Sequence, residues 1–197
     1  MFVLEMMTMK KILRRLGYIR SQSGAAAIEG ALILPFVFLL FMGLQDFTAL
    51  VSFNRKIIAT SAMMSDTIAQ YPNTITRQTI TDIFNAVGLI MQPTPDTLVR
   101  VNVFGYTIKN GAPALNWQVN NANGPPCPAP DTTNFPALMT TGNDLVVSVS
   151  CFNFTPYFAN VVGGGSMLLH QTIAARPRAS TTLNCVTVSG GNTLCSS

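Results

Sequence analysis

Residues 30–45 contain no charge, and they follow directly on a glutamate, Glu29. The run is rich in Leu, Ile, Phe and Val, and after Asp46 a further apolar stretch reaches Phe53. Sixteen helical residues cover only about 24 Å, whereas residues 25–53 would cover about 43 Å, so a hydrocarbon core of about 30 Å is crossed only if Glu29 or Asp46 lies near an interface. An acidic side chain at a membrane helix centre costs about 2.5 to 3.5 kcal/mol on insertion scales, which makes Glu29 a candidate functional residue by default. Asp46 has two readings, an interfacial residue or a second partner inside the membrane. Arg55 and Lys56, two to three turns beyond it, favour the first.

Charge and composition agree with an anchored chain. Of 197 residues 10% are charged and 48% hydrophobic, a balance that favours a membrane-anchored protein over an ordinary soluble enzyme. Residues 1–24 hold Lys10, Lys11, Arg14, Arg15 and Arg20 against Glu5, while the remaining chain holds seven basic and seven acidic residues. The excess of basic residues before the apolar run, set against Arg55 and Lys56 after it, predicts a cytoplasmic N-terminus and an exported C-terminal part. The organisation expected is a basic leader over 1–24, a transmembrane helix over 25–53 and an exported domain over 54–197. A cleaved secretory signal would share the basic start and apolar core, but no small-x-small pair lies between Met42 and Lys56. The domain shows no cluster of Lys and Arg of the kind that binds nucleic acid.

Beyond the apolar run the periodicity predicts an α+β domain. A continuing helix is expected over 52–71, with Ile57, Met64, Ile68 and Tyr71 on one side, ended by Pro72 and Asn73. A second helix over 79–91 would place Ile80, Ile83, Phe84, Val87 and Met91 on its apolar face. From Thr97 the period changes to two. Strands are expected over 98–108, 114–119 and 144–154, with one or two more over 167–175 and 179–188, and Asn110-Gly111 marks a hairpin turn. Residues 120–136, rich in Asn, Pro and Gly, read as a loop. No helical crossover of adequate length separates the later strands, so a small antiparallel sheet is expected.

All four cysteines, Cys127, Cys151, Cys185 and Cys195, follow the apolar segment. Zinc binding is disfavoured by the lack of a Cys-x-x-Cys pair and by a single histidine, His170. Four cysteines allow three disulfide connectivities, and reduced buried cysteines are a further possibility. Proximity favours Cys185 with Cys195, which bracket a Gly190-Gly191 turn in an expected hairpin, and then Cys127 with Cys151. Each bridge would contribute about 3 kcal/mol in the loop-entropy treatment. His170 lies in an expected strand with no partner acid or nucleophile, and Gly163-Gly164-Gly165 lacks the Lys-Ser/Thr that completes a phosphate loop. No catalytic constellation, cofactor motif or metal site is apparent, and a non-enzymatic role without a small-molecule substrate is expected.

The segment Gly24-Ala25-Ala26-Ala27-Ile28-Glu29-Gly30-Ala31-Leu32-Ile33-Leu34-Pro35, with Gly43-Leu44-Gln45-Asp46-Phe47 after it, resembles the N-terminus of TadE-like pseudopilins of the tight-adherence (Flp) pilus system. Weaker likenesses follow at Ser65-Asp66-Thr67-Ile68-Ala69-Gln70, at Thr81-Asp82-Ile83-Phe84, at the hairpin ending in Trp117 and at Thr172-Ile173-Ala174-Ala175-Arg176-Pro177-Arg178, so that the resemblance covers residues 15–178. It implies cleavage by a prepilin peptidase between Gly24 and Ala25, with Glu29 becoming the fifth residue of the mature chain. It also implies a place in the bacterial inner membrane, a periplasmic domain, and as partners the pilus secretion platform and other pilin or pseudopilin subunits. A new α-amino group could pair with the Glu29 carboxylate of a neighbouring subunit, offsetting the cost of a buried charge. The oxidising periplasm would permit disulfides. Where the family usually carries an aromatic residue after the glutamate this chain has Gly30, which loosens a helix by roughly 1 kcal/mol relative to Ala. Pro35 removes a backbone donor and predicts a kink. The rival readings are a passive membrane-anchored envelope or adhesin domain, in which Glu29 has no special role, and a secreted disulfide-bonded enzyme.

Overall fold

The computed structural model describes residues 23–139, 142–158, 164–186 and 195. Helix α1 (Ser23–Ala69) opens the described chain and continues through Pro35. Contacts divide the chain into two compact units, Met1–Gln45 and Asp46–Ser197. In the first, the helix presents Ile28, Leu32, Phe36, Leu40 and Leu44 as exposed side chains. In the second, α1 is amphipathic. Ile57, Thr60, Ser61, Met64, Ser65, Ile68 and Ala69 are buried at spacings of one, three and four, the pattern of one helix face packed on a core.

After α1 comes a short strand β1 (Asn73–Thr76) and then helix α2 (Arg77–Met91). Thr76 caps α2: its backbone is extended and its hydroxyl accepts the Thr79 N–H at 3.1 Å, satisfying one of the donors that a helix start leaves unpaired. Ile80, Ile83, Phe84, Val87 and Met91 are the buried residues of α2, the face expected from their spacing. A 3-10 turn (Asp96–Leu98) leads into β2 (Val99–Lys109), β3 (Ala112–Asn120), the short helix α3 (Phe135–Leu138), β4 (Leu145–Phe154), β5 (Met167–Ala175) and β6 (Leu183–Val186). The β2–β3 turn has positive φ at both Asn110 and Gly111, the conformation that Asn-Gly favours in two-residue hairpins.

Strands β2 to β5 form one antiparallel sheet in the order β3-β2-β4-β5. Central β4 is buried on both faces, which explains why it reads as a nearly continuous apolar run. Val146, Phe152 and Phe154 join the core built with α1 and α2, while Leu145, Val147, Val149 and Cys151 form a second core with Phe104, Tyr106, Phe135 and Met139. Helix α1 therefore covers one face of the sheet, and the loop carrying Cys127 and α3 covers the other. The direction of α1 relative to β4 follows from its contacts. Phe53 stacks on Phe152 at 5.0 Å between centroids, and Ser148 Oγ donates to the Ser61 carbonyl at 2.7 Å, so the helix runs antiparallel to β4.

Two features differ from the sequence expectation. Residues 73–76 form a strand, and β6 pairs with it in parallel, Ile75 opposite Cys185, instead of extending the antiparallel sheet. The crossover joining this parallel pair is the rest of the domain, a connection that local periodicity cannot reveal. β6 is held there by tertiary contacts. The buried carboxylate of Asp144 accepts the Leu183 N–H at 2.8 Å, and Trp117 Nε1 donates to the Leu183 carbonyl at 2.8 Å. The indole lies across Gly105, its cross-strand partner, where a Cβ would come within 2.2 Å of the ring, and the register shifts at the next residue.

Candidate functional site

Gly24 and Ala25 occupy the first turn of α1, and Glu29 lies one turn further along. Ala26–Ala69 is long and apolar enough to cross a membrane, and none of its apolar window is buried within the protein. Glu29 is exposed, and its side chain makes no hydrogen bond or ion pair with any described residue. Nothing lies within 4 Å of a Cβ built on Gly24 or Gly30, so their surroundings do not require glycine.

At the start of the second unit Asp46 is half-buried and fully engaged. Its two carboxylate oxygens accept the backbone N–H groups of Tyr157, at 2.9 Å, and Phe158, at 2.8 Å. Both oxygens are thus committed to the segment that follows β4. No sequence signal identifies this clamp, since the donors are main-chain groups 111 and 112 residues away.

A second attachment lies at the other end of the packed part of α1. The Arg178 guanidinium pairs with the Asp66 carboxylate, and the Arg178 N–H donates to the carbonyl of Ala69, the last residue of α1, at 2.8 Å. Arg176 Nε donates to the Leu138 carbonyl at 2.7 Å. The basic corner therefore closes the helix end and ties down α3. An open cleft of about 740 Å³ runs beside it, lined by Met63, Ser65, Asp66, Ile173 and Arg178 among others. Both side chains of the Asp66–Arg178 pair are well exposed, so the pair itself adds little stability.

Between these attachments, small polar residues bring helix and sheet together. Ser61 Oγ donates to the Gln171 carbonyl of β5 at 3.1 Å, and Ser65 Oγ returns to the Ser61 carbonyl at 3.0 Å. Thr60, Ser61 and Ser65, at spacings of one and four, are the readable trace of this close approach.

Cys127 is bonded to Cys151 and Cys185 to Cys195, the two pairs that proximity along the chain favoured. The first joins the Pro-rich loop to β4. The second joins β6 to a residue whose carbonyl accepts the Gln118 N–H of β3 at 3.1 Å. The hairpin expected between Cys185 and Cys195 falls largely on residues outside those described. The His170 side chain is exposed on β5 and makes no hydrogen bond or ion pair with a described residue. Among the described residues no group of three or more His, Cys, Asp or Glu could hold a metal ion. Burial raises the Tyr106 phenol above its usual value, and the Thr133 hydroxyl and N–H lower the exposed Asp131 carboxyl.

Comparison with protein-family models, curated proteins and solved structures returns no match for this chain.

Proposed function

We propose that the chain is a TadE-like pseudopilin that acts in the assembly of tight-adherence pili, anchored in the inner membrane with its domain in the periplasm and processed by a prepilin peptidase after Gly24. The observation that carries this reading is α1 itself. One continuous helix bears the Gly24-to-Glu29 motif on its first turns, an exposed apolar stretch after it, and a C-terminal part that forms the spine of an α+β domain. A subunit that must pack by its helix and present its domain needs that division of labour within one element. The two disulfides suit an oxidising compartment. In this role the protein is a structural partner of the secretion platform and of other pilin or pseudopilin subunits, without catalysis, cofactor or small-molecule substrate.

The mature N-terminus tests the reading. Intact mass and terminal sequencing of the protein from cells with and without the peptidase should show a chain starting at Ala25 only when the peptidase is present. An unprocessed leader in both would overturn the proposal.

A further inference from the structure

Among the described residues of this unit, five of the nine large exposed apolar side chains gather at one end of its sheet. Strand register defines that end as the place where β2 begins and β4 finishes, since Val99 lies opposite Phe152 and Met167 opposite Phe154. Leu98 is 50% exposed there, Met167 45%, Leu168 41%, and Tyr157, three residues beyond β4, is 83% exposed. Phe47, also exposed, follows Asp46 on α1, and Asp46 holds the Tyr157 and Phe158 backbone. The other large exposed apolar residues described in this unit, Ile58, Leu89, Leu115 and Leu138, stand on four different elements, and the turn at the far end of the sheet is Lys109, Asn110 and Gly111.

We propose that this end of the domain is a lipid-contacting surface, with Asp46 holding the segment after β4 against α1 so that Tyr157, Phe47, Leu98, Met167 and Leu168 rest in the headgroup layer of the bilayer that α1 crosses. The inference rests on the membrane-anchored part of the proposed function and not on peptidase processing. Continuity with the apolar stretch favours lipid over a protein partner, because Asp46 is the first charge after sixteen uncharged residues of the same helix. Depth follows from the clamp. Non-helical backbone facing lipid is not tolerated in hydrocarbon, and residues 155 and 156 are non-helical, so the hydrocarbon reaches no further along α1 than Asp46, while the uncharged residues before Asp46 carry it up to that point. An exposed tyrosine just outside that boundary has the amphipathic ring that favours the interface.

The test uses the full chain with Thr155→Cys, an exposed site in the clamped segment. The four native cysteines are disulfide-bonded, so the new thiol alone takes a fluorophore. Labelled protein is reconstituted in phosphatidylcholine–phosphatidylglycerol vesicles bearing a nitroxide either on the headgroup or deep in the acyl chain. Headgroup nitroxide should remove most of the emission at position 155 and little of that from a label at Lys109→Cys, with the deep nitroxide affecting neither. Adding Asp46→Ala should abolish quenching at 155 while the protein still co-floats with vesicles. Co-flotation with equal quenching at 155 and 109 would overturn this proposal and leave the anchored reading standing. Failure of the full chain to co-float would overturn both.

Discussion

Trp117 and Gly105 show how a pair of residues can fix a register. The indole occupies the space above Gly105 and its Nε1 holds the Leu183 carbonyl, so one side chain sets both the β2–β3 bulge and the position of β6. Gly105→Ala forces the ring to move, and overpacking of this kind costs about 1 to 3 kcal/mol. The loss should appear as a lower denaturant midpoint of the detergent-solubilised chain, and it should shrink in a Trp117→Leu background, because residues in contact are not additive. Equal losses in the two backgrounds would show that the clash is relieved elsewhere. Tyr106 carries a different kind of prediction. Burial raises its pKa, so the unfolded phenol ionises first as pH rises, and the stability held below about pH 10, the usual phenol value, declines as pH climbs toward the higher folded pKa. Tyr106→Phe should flatten that alkaline decline in a pH series of unfolding midpoints. A parallel decline in the variant would assign it to another group.

The elements read from the sequence are those whose evidence is local. Alternation marks β2 and β3, a nearly continuous apolar run marks β4, helical spacing marks the buried faces of α1 and α2, and Asn110-Gly111 marks the hairpin. What escaped depends on partners far along the chain. β1 is four residues long, too short for a period to declare itself, and it is a strand because β6, more than a hundred residues later, lies beside it. The Asp46 clamp was not legible for the same reason, since its donors are main-chain N–H groups far along the chain, which carry no residue signature. The loop carrying α3 is a further case, since it reads as plain connection yet buries Phe135 and Met139 against β4. Its attachment should depend on the Cys127–Cys151 bridge, which closes a separation of 24 residues. A Cys127→Ser, Cys151→Ser double variant should lose about 3 kcal/mol in equilibrium unfolding by the loop-entropy treatment. It should also become cleavable by protease between residues 121 and 139 before the rest of the domain. Uncut loop and unchanged stability would mean that the second core holds α3 without the bridge.

At the scale of the whole molecule, the clamp and the motif meet in one length. If the outer hydrocarbon boundary lies at Asp46, about twenty helical residues counted back from it cover the roughly 30 Å core and reach Ala26, which puts Glu29 just inside the bilayer. Glu29 finds no partner among the described residues of its own chain, so its charge is costly there until another molecule supplies one. In the proposed function that partner is the α-amino group which cleavage before Ala25 creates on a neighbouring subunit. Removing the charge while keeping the shape separates the two steps. Glu29→Gln should be processed to a chain starting at Ala25 and should remain in the membrane, because neither cleavage nor insertion needs the charge, and the amide is the less costly group in hydrocarbon. Pilus assembly in cells carrying only this variant should fall well below the wild-type level, measured as sheared surface filaments, because an amide cannot neutralise an ammonium group. Normal processing together with wild-type filament yield would eliminate the pairing role and leave Glu29 as an anchor residue near the inner interface, the behaviour expected of a passive membrane-anchored domain.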